Sequence, residues 1–266
     1  MTFTRNNDGD VAYVHNGITS GTPLVFLHGF SDMAECWLAL MRRLDLELPM
    51  YALDAPAHGH TIVRSDEEYT NQIARRAVAF VRQLSEPAVL IGHSMGALQA
   101  MYMAGDAPEL VRAIVLEDPP LAQDLSEWSD PATIAQLDGW IRKLQRQPRA
   151  ESIAKAREVH PHWEDGEFEP WIDAKLAVDM SFVGDFAIHR EPMETTLARI
   201  NCPVLLLTGD PGPAIVTPET VKWAQTLCPT LQTQNFPGAS HDIRRDAPDD
   251  VAAAIIGFLQ DLAIAP

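Results

Sequence analysis

A chain of 266 residues with 46% hydrophobic and 21% charged side chains has ordinary globular composition and is long enough for one large buried core. Its formal net charge of −17, from 37 acidic against 20 basic residues, excludes nucleic acid and anionic membrane as expected partners, since both would repel it. No apolar run approaches the roughly 20 residues of a membrane span, the first residues carry no apolar leader, and Cys36, Cys202 and Cys228 fit neither a zinc site nor a C-x-x-C pair, so a cytoplasmic protein with reduced thiols is expected.

In chain order, residues 1–16 read as an antiparallel opening, with β-prone residues 11–15 followed by an Asn16-Gly17 turn signal. Residues 23–27 form a short continuous apolar run, as in a strand buried on both faces, and deliver His28-Gly29-Phe30 to the strand's C-terminal end. A helix over 33–44 and a strand over 48–53 follow, then the loop Asp54-Ala55-Pro56-Ala57-His58-Gly59-His60-Thr61. Ile73, Ala77, Phe80, Val81 and Leu84 recur at helical spacing within 66–84, with Ser65 and Glu68 as a capping box.

The stretch Ile91-Gly92-His93-Ser94-Met95-Gly96 lies between an apolar run, 88–91, and a helix-prone run, 97–104. Strand, G-x-S-x-G turn and helix are the context of a nucleophile elbow, in which a strained serine stands above the sheet and the glycines permit close approach. Ser94 also sits at a helix N-terminus, where N–H groups face developing negative charge. A further buried strand, 111–116, ends in Glu117-Asp118-Pro119-Pro120, and alternation along it sends Glu117 to the side opposite Asp118.

Residues 121–192 contain no buried-strand run. Helices are expected over 131–147, 150–159 and 168–183, the first capped by Asp130 with Pro131 at its first position. This stretch holds Trp128, Trp140, Trp163 and Trp171, four of the six tryptophans, together with Phe168, Met180, Phe182 and Phe186. Most of these pack the helices; one or two are expected to line a pocket. The sheet resumes at 202–208, a helix spans 219–227, the last strand spans 231–236, and a loop containing His241 precedes a final helix over 247–263. The pairs His58-x-His60 and His160-Pro161-His162 lack a third ligand nearby, so no metal is expected.

Taken together, His28-Gly29-Phe30 after a strand, Asp54 to Thr61, the Ser94 elbow and the late His241 resemble the α/β-hydrolase superfamily over nearly the whole chain. The resemblance implies a mostly parallel, doubly wound α/β sheet, with residues 1–120 and 193–266 as the core and 121–192 as an inserted helical lid. It implies Ser94 as nucleophile, His241 as base and the N–H groups of Phe30 and Met95 as oxyanion donors. Ser240 stands before His241, where the family usually has glycine. The family commonly places its acid in the loop after the seventh strand, but counting through Gly209 to Pro218 lands on Gly212 or Ala214, and the only carboxylate there is Asp210. A minority places the acid after the sixth strand, where Asp118 stands; Asp118 is the first choice and Asp210 the alternative. His28, His93, Trp128, Trp140 and Trp163 are candidate pocket residues.

The activity so implied is hydrolysis of a carboxylic ester or lactone of a small, largely apolar molecule through an acyl-enzyme, with no metal or organic cofactor. Carbon–carbon cleavage of a diketone acid and a non-catalytic ligand-binding role are the alternatives. A small-molecule substrate is the expected partner, and a homodimer is left open.

Overall fold

The computed structural model describes residues 2–8, 11–64, 69–121, 130–181 and 191–265. Trp128, Phe182, Phe186 and the Ser65–Glu68 capping pair lie outside these residues. Eight strands form one sheet: β1 (Thr4–Asp8), β2 (Val11–His15), β3 (Leu24–Leu27), β4 (Met50–Leu53), β5 (Ala88–His93), β6 (Val111–Glu117), β7 (Val204–Thr208) and β8 (Leu231–Asn235), in the order β1-β2-β4-β3-β5-β6-β7-β8. β1 pairs antiparallel with β2, and β2 with β4; every other pairing is parallel.

The continuous apolar runs follow from helices covering both faces of the parallel strands. Leu24 and Phe26 of β3, Val89 and Ile91 of β5 and Leu205 and Leu207 of β7 pack with α1 (Leu38–Leu44) and the last helix, Pro248–Asp261. Their neighbours Val25, Leu27, Leu90 and Leu206 pack on the other face with α2 (Tyr69–Val81), α3 (Met95–Asp106), α7 (Met193–Arg199) and α8 (Pro218–Leu227). The two-residue period of a strand thus divides the apolar side chains between two cores.

Between β6 and α7 lie α4 (Pro131–Gln145), α5 (Arg149–Val159) and α6 (Asp165–Ala177). Asp130 caps α4, accepting from Ala132 N and Thr133 N at 3.1 Å each, with Pro131 first in the helix. The third helix of this segment begins and ends several residues earlier than its aromatic content suggests, starting with the acidic Asp165 and Glu167, which favour a helix N-terminus. Gln145 reaches the carbonyls of Lys175 and Val178, and Asp179 N donates to Ala57 O at 2.8 Å, so the segment is tied to itself and to the loop after β4.

Candidate functional site

Ser94 occupies the turn between β5 and α3 at φ 50° and ψ −115°, a conformation foreign to residues with a Cβ. The glycines on either side explain how the turn closes. A Cβ on Gly96 would lie 2.0 Å from the carbonyl oxygen of Leu27, and one on Gly92 would lie 2.4 Å from that of Gly96. Ser94 N is held by Glu117 O at 2.9 Å, and its side chain makes no capping bond to α3. Met95 begins α3, so its N–H belongs to the first turn, whose amides have no acceptor within the helix.

Asp118 follows the last residue of β6 and is itself strained, at φ +41°. Its carboxylate is fully buried and accepts from Ile215 N at 2.9 Å and Val216 N at 2.9 Å, both in the loop after β7. The same carboxylate receives His241 Nδ1 at 2.6 Å. The loop after β7 therefore supplies backbone donors to a carboxylate carried by β6. Asp210 lies apart from this arrangement: its side chain accepts from Gly238 N at 2.9 Å.

Burial by itself lowers the pKa of His241, but the bond to Asp118 and the negative charge of that carboxylate outweigh it and raise the imidazole above its ordinary value. One ring nitrogen is committed to Asp118, and the other, Nε2, is left for a proton acceptor role. The His241 ring centroid is 4.6 Å from that of His93, the residue before Ser94.

His93 is buried and held well below the ordinary imidazole range by desolvation and the nearby Arg244 charge. Neutral, it donates from Nε2 to the carbonyl of His241 at 3.0 Å. His28 spends both ring nitrogens on backbone, Nδ1 on Gly29 O at 2.8 Å and Nε2 on Ala55 N at 2.9 Å. His58 does likewise, donating to Pro56 O and accepting from Ser31 N, and burial pushes its pKa down to about 3.

Phe30 packs with Met95, Ile141 of α4, Val178 and Met180 in one apolar cluster beside the elbow. Trp163 is buried among Ala156, Phe168 and Ile172 and donates from its indole to Asp246 at 2.7 Å. Trp140 of α4 is 39% exposed, its ring centre 6.4 Å from that of Trp171 in α6. Ile141 and Val178, not singled out in the sequence, share this cluster with Met95, as does Met180, which the sequence marked as a possible pocket residue. Helical spacing of apolar residues could have pointed to Ile141, but Val178 and Met180 lie beyond the end of α6.

Beneath the site lies a group of buried charges. Arg244 bonds Glu117 at 2.9 Å and Asp32 at 2.9 Å; Arg245 bonds Asp32 at 2.9 Å, Glu167 of α6 at 3.2 Å, and Asp242; Lys175 of α6 bonds Asp32 at 3.1 Å. Each charge is paired, as burial requires. Asp246 takes Ser240 N and Oγ on one oxygen and His162 and Trp163 on the other. No group of three or more metal-ligating side chains is gathered among the described residues, and no helix there is long and apolar enough to cross a membrane.

A model of the alpha/beta hydrolase family matches residues 24–254. The chain is 25% identical over 252 residues to the 2-(acetamidomethylene)succinate hydrolase of Mesorhizobium japonicum, covering 90% of this chain and 88% of that protein. It is 25% identical over 246 residues to the N-formylmaleamate deformylase of Pseudomonas putida, covering 90% and 89%. An esterase of Mycobacterium tuberculosis is 37% identical over 101 residues, a stretch that covers 37% of this chain and only 33% of that protein. In three dimensions the chain resembles the crystal structure of E-2-(acetamidomethylene)succinate hydrolase, with a TM-score of 0.81 at 20% identity, covering 97% of this chain and 99% of that one.

Proposed function

This chain belongs to the alpha/beta hydrolase family, and we propose that as a hydrolase it cleaves a carboxylic ester or lactone of a small, largely apolar molecule through an acyl-enzyme on Ser94. The observation that carries the reading is the 2.6 Å contact of His241 Nδ1 with Asp118, with the His241 ring 4.6 Å from that of His93, the residue before a serine held in strained backbone. A serine hydroxyl attacks only when a base removes its proton, and the base works only in the right tautomer. Asp118 fixes the proton on Nδ1, so Nε2 can take the Ser94 proton, and its charge stabilises the imidazolium that results. The carbonyl oxygen of the substrate gains charge as Ser94 attacks, and the N–H groups of Phe30 and Met95 receive it. The imidazolium then protonates the leaving alcohol. Water, deprotonated by His241, releases the acid and restores Ser94.

Residues 121–192 act in this reading as the lid, and Ile141, Val178 and Met180 form its apolar underside beside Met95. A second reading, hydrolysis of an N-acyl group on a small acid, is supported by the two relatives matched over nine-tenths of the chain, which are named for acting on 2-(acetamidomethylene)succinate and N-formylmaleamate. Turnover of short p-nitrophenyl esters, simple lactones and N-formyl or N-acetyl enamide acids, measured on the wild type and on Ser94→Ala, separates the two. A preference for the amide acids replaces the ester reading; undiminished turnover by purified Ser94→Ala overturns the mechanism.

A further inference from the structure

We propose that the outer face of the helical segment carries a second binding site, for a small aromatic carboxylate bearing another polar substituent. A cavity of about 460 Å³ opens between α4, α5 and α6. All its lining residues fall within 140–172, so it is built without β5, β6 or the His241 loop. Ile141 points from α4 to the cluster beside Met95, whereas its neighbour Trp140 lines this cavity, so α4 divides the two spaces. The volume suits a one- or two-ring ligand.

Its walls are apolar and aromatic: Trp140, Leu144, Val159, Trp171 and Ile172. Val159, 70% exposed, and Trp140 are two of the three large hydrophobic side chains left exposed among the described residues, and both are on this cavity. Solvation of such a pair is unfavourable, and a flat apolar ligand would cover them. The tryptophans are also held in place from inside, since Lys175 Nζ lies 4.2 Å from the Trp171 ring centre and 5.8 Å from that of Trp140. The walls are thereby preformed, which spares a ligand the cost of ordering them.

Two polar features set the ligand's chemistry. Ser152 lines the cavity and is buried, and its hydroxyl has no hydrogen-bond partner among the described residues. Such a group costs free energy until a partner arrives, so a ligand oxygen or nitrogen placed there gains a bond that the empty protein lacks. Lys143 also lines the cavity, is exposed, and has no carboxylate in ion-pair contact among the described residues. Lys155, by contrast, is engaged with Glu151 at 2.6 Å. His160 is neutral at physiological pH, because partial burial lowers its pKa. One unpaired cation on an aromatic cavity fits a monoanion rather than a polyanion, and Ser152 accounts for the second polar group.

The test is calorimetric titration of the intact chain with 6-hydroxy-2-naphthoate, beside 2-naphthoate and 6-hydroxy-2-naphthamide. The wild type should bind the hydroxy acid best. Lys143→Glu should weaken the two acids about fivefold and leave the amide nearly unchanged. Trp140→Ala should weaken all three about tenfold, and Ser152→Ala should remove only the advantage of the hydroxyl. Both Lys143 and Trp140 are exposed, so these variants fold even if Ser152→Ala does not. Ester turnover by Lys143→Glu should match the wild type. Absence of binding up to the solubility limit overturns the proposal, and so does equal binding by wild type, Lys143→Glu and Trp140→Ala, which would put the ligand elsewhere.

Discussion

Glu117 and Asp118 are neighbours at the end of β6, yet they hold the same loop from two directions: Glu117 takes the backbone N–H and guanidinium of Arg244, at 2.8 and 2.9 Å, while Asp118 takes the imidazole of His241. The extended geometry of β6 directs the first carboxylate one way, and the positive φ of Asp118 turns the second toward the loop after β7. A loop carrying a proposed general base is thereby fixed at two points three residues apart.

Ser94→Ala should abolish ester hydrolysis while changing the thermal midpoint by only a few degrees, because one small, half-buried hydroxyl is lost and its side chain caps nothing. Steady-state turnover and a thermal melt on the same preparation check it.

The two candidate acids differ in what they touch. Asp118→Asn keeps the shape but loses the charge beside Nδ1, and turnover should fall about 10³–10⁴-fold. Asp210→Asn disturbs one bond to Gly238 and should change turnover by less than about tenfold. Collapse of the Asp210 variant, with Asp118→Asn active, would move the acid to the loop after β7.

The pH profile follows from the raised pKa of His241. A general base must be neutral, so kcat/KM should fall as pH drops through that pKa, above the ordinary histidine value of about 6.5. Asp118→Asn removes the charge that raises it, so the residual activity should have its acid limb at lower pH. A limb that stays in place would show that another group titrates.

Removing the Arg244 side chain leaves Glu117 buried without its guanidinium and takes one of three cations from Asp32. Arg244→Leu should therefore cost about 3–5 kcal/mol, a fall in midpoint on the order of 10 °C for a chain of this size. Adding Glu117→Gln should recover part of the loss. A melt unchanged in Arg244→Leu would mean that water enters and solvates the carboxylates.

Ile141→Ala should change preference among ester chain lengths more than it changes stability, because Ile141 stands in the apolar cluster beside Met95. Relative kcat/KM for acetate, butyrate and hexanoate p-nitrophenyl esters measures this. An unchanged ratio would put the acyl group elsewhere.

Much of the sheet was legible because strands covered on both faces must be apolar, as 23–27, 88–91, 113–116 and 204–207 are. The edge strand β1 was legible only as part of the antiparallel opening expected over 1–16; its own bounds were not, since Thr4–Asp8 is polar and is held by pairing with β2 and by Arg5 bonds to Glu35 and Asp54. The short helix Met193–Arg199 also escaped notice, lying at the end of a stretch read by its aromatics. At the site, the elbow was readable because its constraint is local: Gly92 and Gly96 sit two residues from Ser94. The surroundings of Asp118 were not, because its amide donors are 97 and 98 residues away in sequence. The charges around Asp32 had no signature either. Glu167, Lys175, Arg244 and Arg245 look like surface residues until the fold brings them together under α6.

Those charges have a consequence for anyone wishing to recombine this chain with its relatives. Glu167 and Lys175 belong to the helices between β6 and β7, while their partners Asp32 and Arg245 belong to the segments that follow β3 and β8; Trp163 and His162 likewise meet Asp246 across that boundary. A graft that replaced residues 121–192 with the corresponding helices of another hydrolase would strand Asp32, Arg245 and Asp246 without some of their counterions and donors. The helices can be exchanged as a cassette only together with those three positions, so the segment around His241 and the helices packed on it have to be moved as one piece.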